Sequence, residues 1–200
     1  MNECLLCEQA IAATPSWQSL LGLDKQTNIC QDCSKKFQRA DNKIESDSID
    51  QVTTLYTYNE AMREYLHQYK FLQDVQLAGI FARELRTHIP TDALVVPIPI
   101  HPEKKIQRTF AHVDELLKSA HIPYTHLLEK VDTGAMGEKS KAERLAMKPL
   151  FIVKNGVTIQ PRTYILIDDI YTTGTTLRHA ATVLKQAGAT RVEAITLIHA

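Results

Sequence analysis

Several features that would assign a function at once are missing from this sequence. Its 200 residues carry no net charge, because 23 Lys and Arg balance 23 Asp and Glu, so no overall field favours nucleic acid or a membrane surface. No apolar run reaches the roughly 18 residues that predict a membrane span. The first residues lack the basic and apolar regions of a signal peptide. We therefore expect a cytoplasmic protein without a membrane span.

Cysteine is absent from the last 167 residues, and all four cysteines lie in two C-x-x-C pairs, Cys4 with Cys7 and Cys30 with Cys33. In the cytoplasm, paired cysteines more often bind metal than form disulfides. Two such pairs complete a tetrahedral Cys₄ site, and four protein ligands leave no open position, so a structural zinc ion is predicted. A redox dithiol is the alternative, although one pair would suffice for it.

This asymmetry predicts two units of unequal size. Residues 1–40 form the Cys₄ zinc-binding unit, and residues 52–200 form a larger domain. Between them, Arg39–Gln51 is polar and sparsely apolar, which predicts a linker.

In the larger domain, apolar runs alternate with helical spacing. Strands are predicted at Val52–Tyr58, from Leu94 to about Pro97, at Tyr164–Ile167 and at Val192–Ile198. Helices are predicted after Asn59, after Asp74, around Val113–Ala120 and over Leu177–Ala187. This alternation predicts an α/β fold with a largely parallel sheet flanked by helices. Ligands of such sheets bind beyond the carboxyl ends of the strands.

The most informative segment runs from Ile165 to Leu177. A buried strand leads into two adjacent carboxylates, Asp168 and Asp169, and then into a hydroxyl-rich turn that opens a helix. Backbone N–H groups at a helix start bind anions, and Gly174 lacks the Cβ that would block a phosphate. The turn is formed by Thr172, Thr173, Gly174, Thr175 and Thr176. Ionised carboxylates accept hydrogen bonds, which suits a diol such as that of ribose.

Asp and Thr are also good helix caps, so a purely structural turn is the alternative for this segment. Two other nucleotide sites are excluded, because the sequence contains neither the Gly-Lys-Ser/Thr of a P-loop nor a G-x-G-x-x-G.

The whole segment resembles the motif with which type I phosphoribosyltransferases bind 5-phosphoribosyl-1-pyrophosphate (PRPP). The resemblance implies that Asp168 and Asp169 position the ribose through its hydroxyls. It also implies that Thr172–Thr176 bind the 5′-phosphate and that magnesium accompanies PRPP.

In the same family, basic loops contact pyrophosphate. Two stretches with the matching charges are His101–Arg108 and Asp132–Lys148. The resemblance implies a pyrophosphate role for Lys104, Lys105, Arg108, Lys141 and Arg144. Solvated surface charge is the alternative for both stretches.

A four-cysteine unit joined to this fold resembles the ComF-type competence proteins over essentially the entire chain. Tyr56–Phe71, Val96–Pro102 and Lys139–Leu145 carry the rest of the resemblance. Arg108–His112 departs from it, since Arg-Thr-Phe-Ala-His stands where the family usually has Arg-Gly-Phe-Asn-Gln. The departure bears on pyrophosphate handling and catalysis and not on the PRPP loop.

Three functions follow from the resemblance. The first is a protein of DNA uptake in natural competence that binds Mg-PRPP or a related phosphoribose and engages a helicase-like partner. Single-stranded DNA would be reached through that partner, because the chain carries no net charge. The second is an active phosphoribosyltransferase of nucleotide metabolism that transfers phosphoribose to a base. The third is a non-catalytic module that binds PRPP or a DNA end.

Overall fold

The computed structural model describes residues 2–11, 28–46, 48–100, 110–131 and 150–200. Within these ranges the amino-terminal part contains the strands β1 (Asn2–Glu3) and β2 (Ala10–Ile11), which pair antiparallel, and the short helix α1 (Gln31–Lys35).

The rest of the described chain is built around one sheet. The elements in chain order are β3 (Arg39–Ser46), β4 (Ile49–Thr57), α2 (Glu60–Phe71), a 3₁₀ helix (Val75–Gly79), α3 (Ala82–Thr87), β5 (Leu94–Pro97), α4 (His112–Ser119), β6 (Leu128–Lys130), β7 (Phe151–Val153), β8 (Thr163–Tyr171), α5 (Thr175–Gln186) and β9 (Arg191–His199). The order across the sheet is β3-β4-β9-β8-β5, and β6 pairs with β7 in a separate hairpin. Every pairing from β4 to β5 is parallel, and β3 runs antiparallel to β4. The predicted fold class, a largely parallel sheet flanked by helices behind a four-cysteine unit, is confirmed.

Alternate residues of β8 pack on opposite faces of the sheet, as the period of a strand requires. Ile165 and Ile167 belong to the core formed with α2, α3 and α4. Tyr164 and Leu166 belong to the core formed with α5 and the β6–β7 hairpin. Both faces of this strand are therefore buried, which explains its continuous apolar run.

The helix starts follow the predicted caps. The Asn59 side chain accepts from the Met62 backbone N–H at the start of α2, and Asp74 accepts from Gln76. The second of these starts only the 3₁₀ turn, and a separate helix, α3, follows it.

The prediction of a linker over Arg39–Gln51 is wrong. Residues 39–46 form β3, and Ile49, Asp50 and Gln51 begin β4. A polar edge strand contributes main-chain hydrogen bonds more than apolar burial, so composition alone does not reveal it. Among the described residues, none of the helices has the length and apolar content needed to cross a membrane.

Candidate functional site

The two carboxylates lie inside β8, near its carboxyl end. The strand is longer than predicted, because its pairing with β9 continues through Asp168 opposite Thr196 to Tyr171 opposite His199. Asp168 is half-buried and Asp169 is buried. The backbone N–H of Asp169 donates to Asp168 Oδ1 at 2.9 Å, which fixes the first carboxylate against the chain that follows it.

The hydroxyl-rich turn connects β8 to α5 over three residues. Thr172 and Thr173 are exposed, Gly174 is buried, and Thr175 and Thr176 are the first residues of α5. The Thr173 and Thr175 hydroxyl oxygens lie 3.0 Å apart. Because the first N–H groups of a helix have no partner within it, exposed hydroxyls and helix amides meet here. This is the local geometry of an anion-binding turn.

Gly174 is required by the fold itself, whatever binds at the turn. Its φ of +71° lies in the left-handed region. A Cβ at this position would lie 2.6 Å from the Tyr171 hydroxyl and 2.8 Å from its ring. A substitution at Gly174 would therefore strain the protein before any ligand is bound, and it does not isolate phosphate binding.

Asp169 lies among side chains from two helices that are distant in sequence. Lys70, in the last turn of α2, forms an ion pair with Asp169 Oδ2. His112, the first residue of α4, places its Nε2 3.5 Å from the same oxygen. His112 also fixes its own helix start, since its backbone carbonyl accepts from the Tyr69 hydroxyl at 2.5 Å. The second carboxylate is thus held between α2 and α4.

Burial raises the pKa of the Asp168 carboxyl to about 7, although the positive charges of Lys70 and Lys130 act to lower it. Lys130 ends β6, so the charges that act on Asp168 come from both sides of the sheet. A carboxyl that titrates near neutrality changes from a hydrogen-bond donor to an acceptor within the physiological range.

Sequence patterns did not identify Lys70, His112 or Lys130 as site residues. Lys70 lies within Tyr56–Phe71, which carries part of the family resemblance, and His112 ends Arg108–His112, which departs from it. No local motif marks any of them, because each reaches the acidic pair from a different element.

The basic residues predicted for pyrophosphate lie outside the described residues. They are Lys104, Lys105, Arg108, Lys141 and Arg144. Ile100, directly before the first segment, and Lys130, two residues before the second, line one cleft of about 440 Å³. His112 lines the same cleft, so the cleft adjoins the acidic pair.

The four cysteines form a second cluster. All are free thiols, and their four sulfur atoms lie within 4.8 Å of one another. The Cys7 and Cys30 sulfurs are 3.7 Å apart, close to the sulfur–sulfur edge of about 3.8 Å that a tetrahedron with Zn–S bonds of ~2.3 Å requires. Cys30 also caps α1 and accepts from the Cys33 backbone N–H at 3.4 Å. The cluster can bind a metal ion such as zinc.

The pKa values of two thiols in this cluster are shifted in opposite directions. Burial raises the pKa of the Cys4 thiol, but nearby backbone N–H groups, that of Cys30 foremost, outweigh it and bring the value to about 6. Burial and the neighbouring thiols raise the pKa of Cys33. A bound cation would remove this conflict by stabilising all four thiolates.

The residues that follow the cysteine cluster pack on the helix that carries Lys70. Phe37 stands edge-on to the Tyr65 ring of α2, with 6.3 Å between ring centroids. The Asn59 amide donates to the Lys36 carbonyl at 2.8 Å. The helix α2 therefore contacts the four-cysteine part at one end and the acidic pair at the other.

Together the described residues define an α/β protein in which a largely parallel sheet ends in the β8–α5 motif, with a four-cysteine unit in front of it. The chain is 33% identical to Competence protein ComFC of Streptococcus pneumoniae (strain ATCC BAA-255 / R6), covering 98% of this chain and 99% of that protein. It is 28% identical to Competence protein ComFC of Bacillus subtilis (strain 168), covering 98% of this chain and 94% of that protein. The chain belongs to the ComFC family of competence proteins.

Two solved structures are similar to parts of the chain. The glutamine PRPP amidotransferase from B. subtilis, complexed with ADP and GMP, has a TM-score of 0.41 at 24% identity. The similarity covers 59% of this chain, which spans only 25% of the amidotransferase. The adenine phosphoribosyltransferase of Leishmania tarentolae has a TM-score of 0.38 at 16% identity, over 64% of this chain and 71% of the enzyme. Both scores are low, so neither similarity says what this chain binds. No family model matches the chain.

Proposed function

We propose that this protein binds Mg-PRPP or a related phosphoribose at Asp168–Thr176 and acts in DNA uptake during natural competence. The assignment of the ligand rests on one observation. A buried strand brings two carboxylates to the hydroxyl-rich start of α5, where the helix amides begin. The carboxylates accept from the ribose hydroxyls. Thr172, Thr173, Thr175 and Thr176 donate to the 5′-phosphate at the helix start.

The ligand would bring magnesium with it, and that ion would supply positive charge to the pyrophosphate oxygens. The basic residues 104, 105, 108, 141 and 144 are proposed to contact that pyrophosphate. The cleft beside His112 supports this role, because two of its lining residues, Ile100 and Lys130, lie one and two residues before the two basic segments. Zinc is proposed as the structural ion on the four cysteines, which would hold the amino-terminal unit together.

The competence role is supported by membership of the ComFC family. We propose a cytoplasmic protein that engages a helicase-like partner and reaches single-stranded DNA through it. Lys35 and Lys36, next to the cysteine cluster, are exposed and offer a small basic surface. The zero net charge of the chain favours a partner-mediated role over direct DNA binding.

Transfer of phosphoribose to a base is the second candidate. The cleft of about 440 Å³ beside His112 favours it, since such a volume accommodates a small acceptor. Release of pyrophosphate from Mg-PRPP in the presence of an acceptor panel separates this activity from binding alone.

Transformation of the source cells tests the proposal as a whole. Deleting the gene is expected to abolish transformation, and a copy with Asp168→Asn and Asp169→Asn is expected not to restore it, because the ribose acceptors are lost. A copy with Asp92→Asn, an exposed carboxyl in the described chain, is the control and is expected to restore it. Transformants would be counted with equal protein levels confirmed by immunoblot.

Normal transformation in the deletion strain would end the competence role. Full restoration by the double variant would keep that role and make the phosphoribose site irrelevant to it.

A further inference from the structure

Lys70 lies at the position where a cation would be expected to bind the acidic pair. One ligand atom each from His112, Asp168 and Asp169 lies within 4.8 Å of the others, and such a donor set suits a divalent ion. The Lys70 ammonium already contacts Asp169 Oδ2 within this group. A metal ion on the same oxygen would lie against the ammonium, and like charges repel strongly at that separation.

We propose that Lys70 takes the place of a divalent cation at the acidic pair, so that the carboxylates bind the sugar of a phosphoribose without a metal ion on them. This inference rests on the proposed function and concerns how the same site is charged. Magnesium is then required by the pyrophosphate of PRPP and not by the ribose. A ligand without pyrophosphate, such as ribose 5-phosphate, binds without metal.

The ion pair is buried, which distinguishes it from an ordinary surface pair. The Lys70 side chain is 11% exposed and that of Asp169 is 6% exposed. Lysine brings a compact charge with three donors, and the two carboxylate oxygens offer about four acceptor positions. Asp169 therefore keeps the capacity to accept from a sugar hydroxyl while Lys70 neutralises it.

The position of Lys70 is fixed by the residues that precede it in α2. Tyr65 and Tyr69 are buried and stacked, with 5.7 Å between ring centroids. The Tyr69 hydroxyl then joins α2 to α4 through the His112 carbonyl. The ammonium is thus held in place before any ligand arrives, which lowers the cost of ordering the site on binding.

The first arm of the test uses the wild-type protein with its zinc retained and free divalent ions removed on a chelating resin. Calorimetry with ribose 5-phosphate is expected to give the same affinity, within roughly twofold, with and without magnesium. Magnesium that tightens this binding by about tenfold or more would overturn the proposal.

The second arm measures Mn²⁺ binding by electron paramagnetic resonance, which needs no sugar ligand. Wild-type protein is expected to bind no Mn²⁺ at the acidic pair, whereas Lys70→Met is expected to gain one site. Without metal, Lys70→Met should also lose roughly tenfold or more in affinity for ribose 5-phosphate, and Mn²⁺ should restore part of it. Lys70→Arg, which keeps a positive charge at this position, is expected to gain no Mn²⁺ site.

Lys185→Met is the matched control, since Lys185 pairs with Asp50 away from the site at 3.0 Å, and it should gain no Mn²⁺. Wild-type Mn²⁺ binding that Asp169→Asn abolishes would overturn the proposal, as would a folded Lys70→Met without a new site. Lys70→Gln replaces Lys70→Met if the latter does not fold. Absence of ribose 5-phosphate binding in the wild-type protein would contradict the proposed function. The comparison of Mn²⁺ binding between wild type and Lys70→Met would still decide the role of Lys70.

Discussion

Changing Asp168→Asn and Asp169→Asn together is expected to weaken PRPP binding by at least roughly a hundredfold, since each charged acceptor of a ligand hydroxyl contributes about 1.5–3 kcal/mol. The amide at position 169 also leaves the buried Lys70 without its carboxylate partner. Calorimetric titration with Mg-PRPP measures the loss. Asp92→Asn serves as the control and should leave the affinity unchanged.

The pH dependence of the PRPP affinity shows whether the Asp168 carboxylate itself contributes to binding. The pKa of Asp168 is raised to about 7, so the carboxyl is protonated below that pH and ionised above it. Affinity should therefore rise as the pH increases through 7 in the wild type, because only the ionised form accepts from both hydroxyls. In Asp168→Asn this rise in affinity should be absent, and only the pH dependence that comes from ionisation of the ligand phosphate should remain. An unchanged affinity in the double variant would place the ribose elsewhere.

Loss of the zinc ion proposed for the cysteine cluster is expected to unfold the amino-terminal unit. Structural zinc sites bind with apparent free energies of about 10–16 kcal/mol, and the part described around the four cysteines has little core of its own. Cys33→Ser should lower the zinc content well below one ion per chain and reduce thermal stability, because Leu5, Leu6 and Phe37 would lose their fixed contacts with the main core. Elemental analysis and thermal unfolding measure both effects.

Ser34→Ala is the matched control, since Ser34 is an exposed residue of the same short helix. It should keep its zinc and its melting temperature. Wild-type protein that contains no zinc, or whose four thiols all react without a chelator, would contradict the assignment. A zinc-free protein with unchanged unfolding would show that the ion does not support the fold.

The sequence predicted those parts of the fold whose signals are local. Asn59 marks the start of α2, and the apolar run before Asp168 marks β8, because a cap and a buried strand each act over a few residues. The strand β3 was missed, since its place depends on the hydrogen-bonding edge that β4 provides. That edge lies outside the segment itself.

The same distinction applies to the site. The carboxylates and the threonine turn are contiguous and were predicted as a unit. Lys70 and His112 are brought to Asp169 by the packing of α2 and α4, and no spacing in the sequence encodes that meeting. The sequence predicts that Gly174 gives a phosphate access to the turn, and it does not reveal that Tyr171 also excludes a side chain there.

A ligand series on the wild-type protein tests the central claim, that the turn between β8 and α5 binds a phosphoribose. Calorimetric titrations with Mg-PRPP, ribose 5-phosphate and ribose would be compared at one pH and salt concentration. Saturable binding of one molecule per chain is expected for both phosphorylated ligands, and binding of ribose should be weaker by roughly a hundredfold or more, since the charged phosphate contacts are absent. The double variant Thr173→Ala and Thr175→Ala should weaken the binding of the two phosphorylated ligands and leave the binding of ribose unchanged. Equal affinity for ribose and ribose 5-phosphate, or no binding of either phosphorylated ligand, would contradict the account.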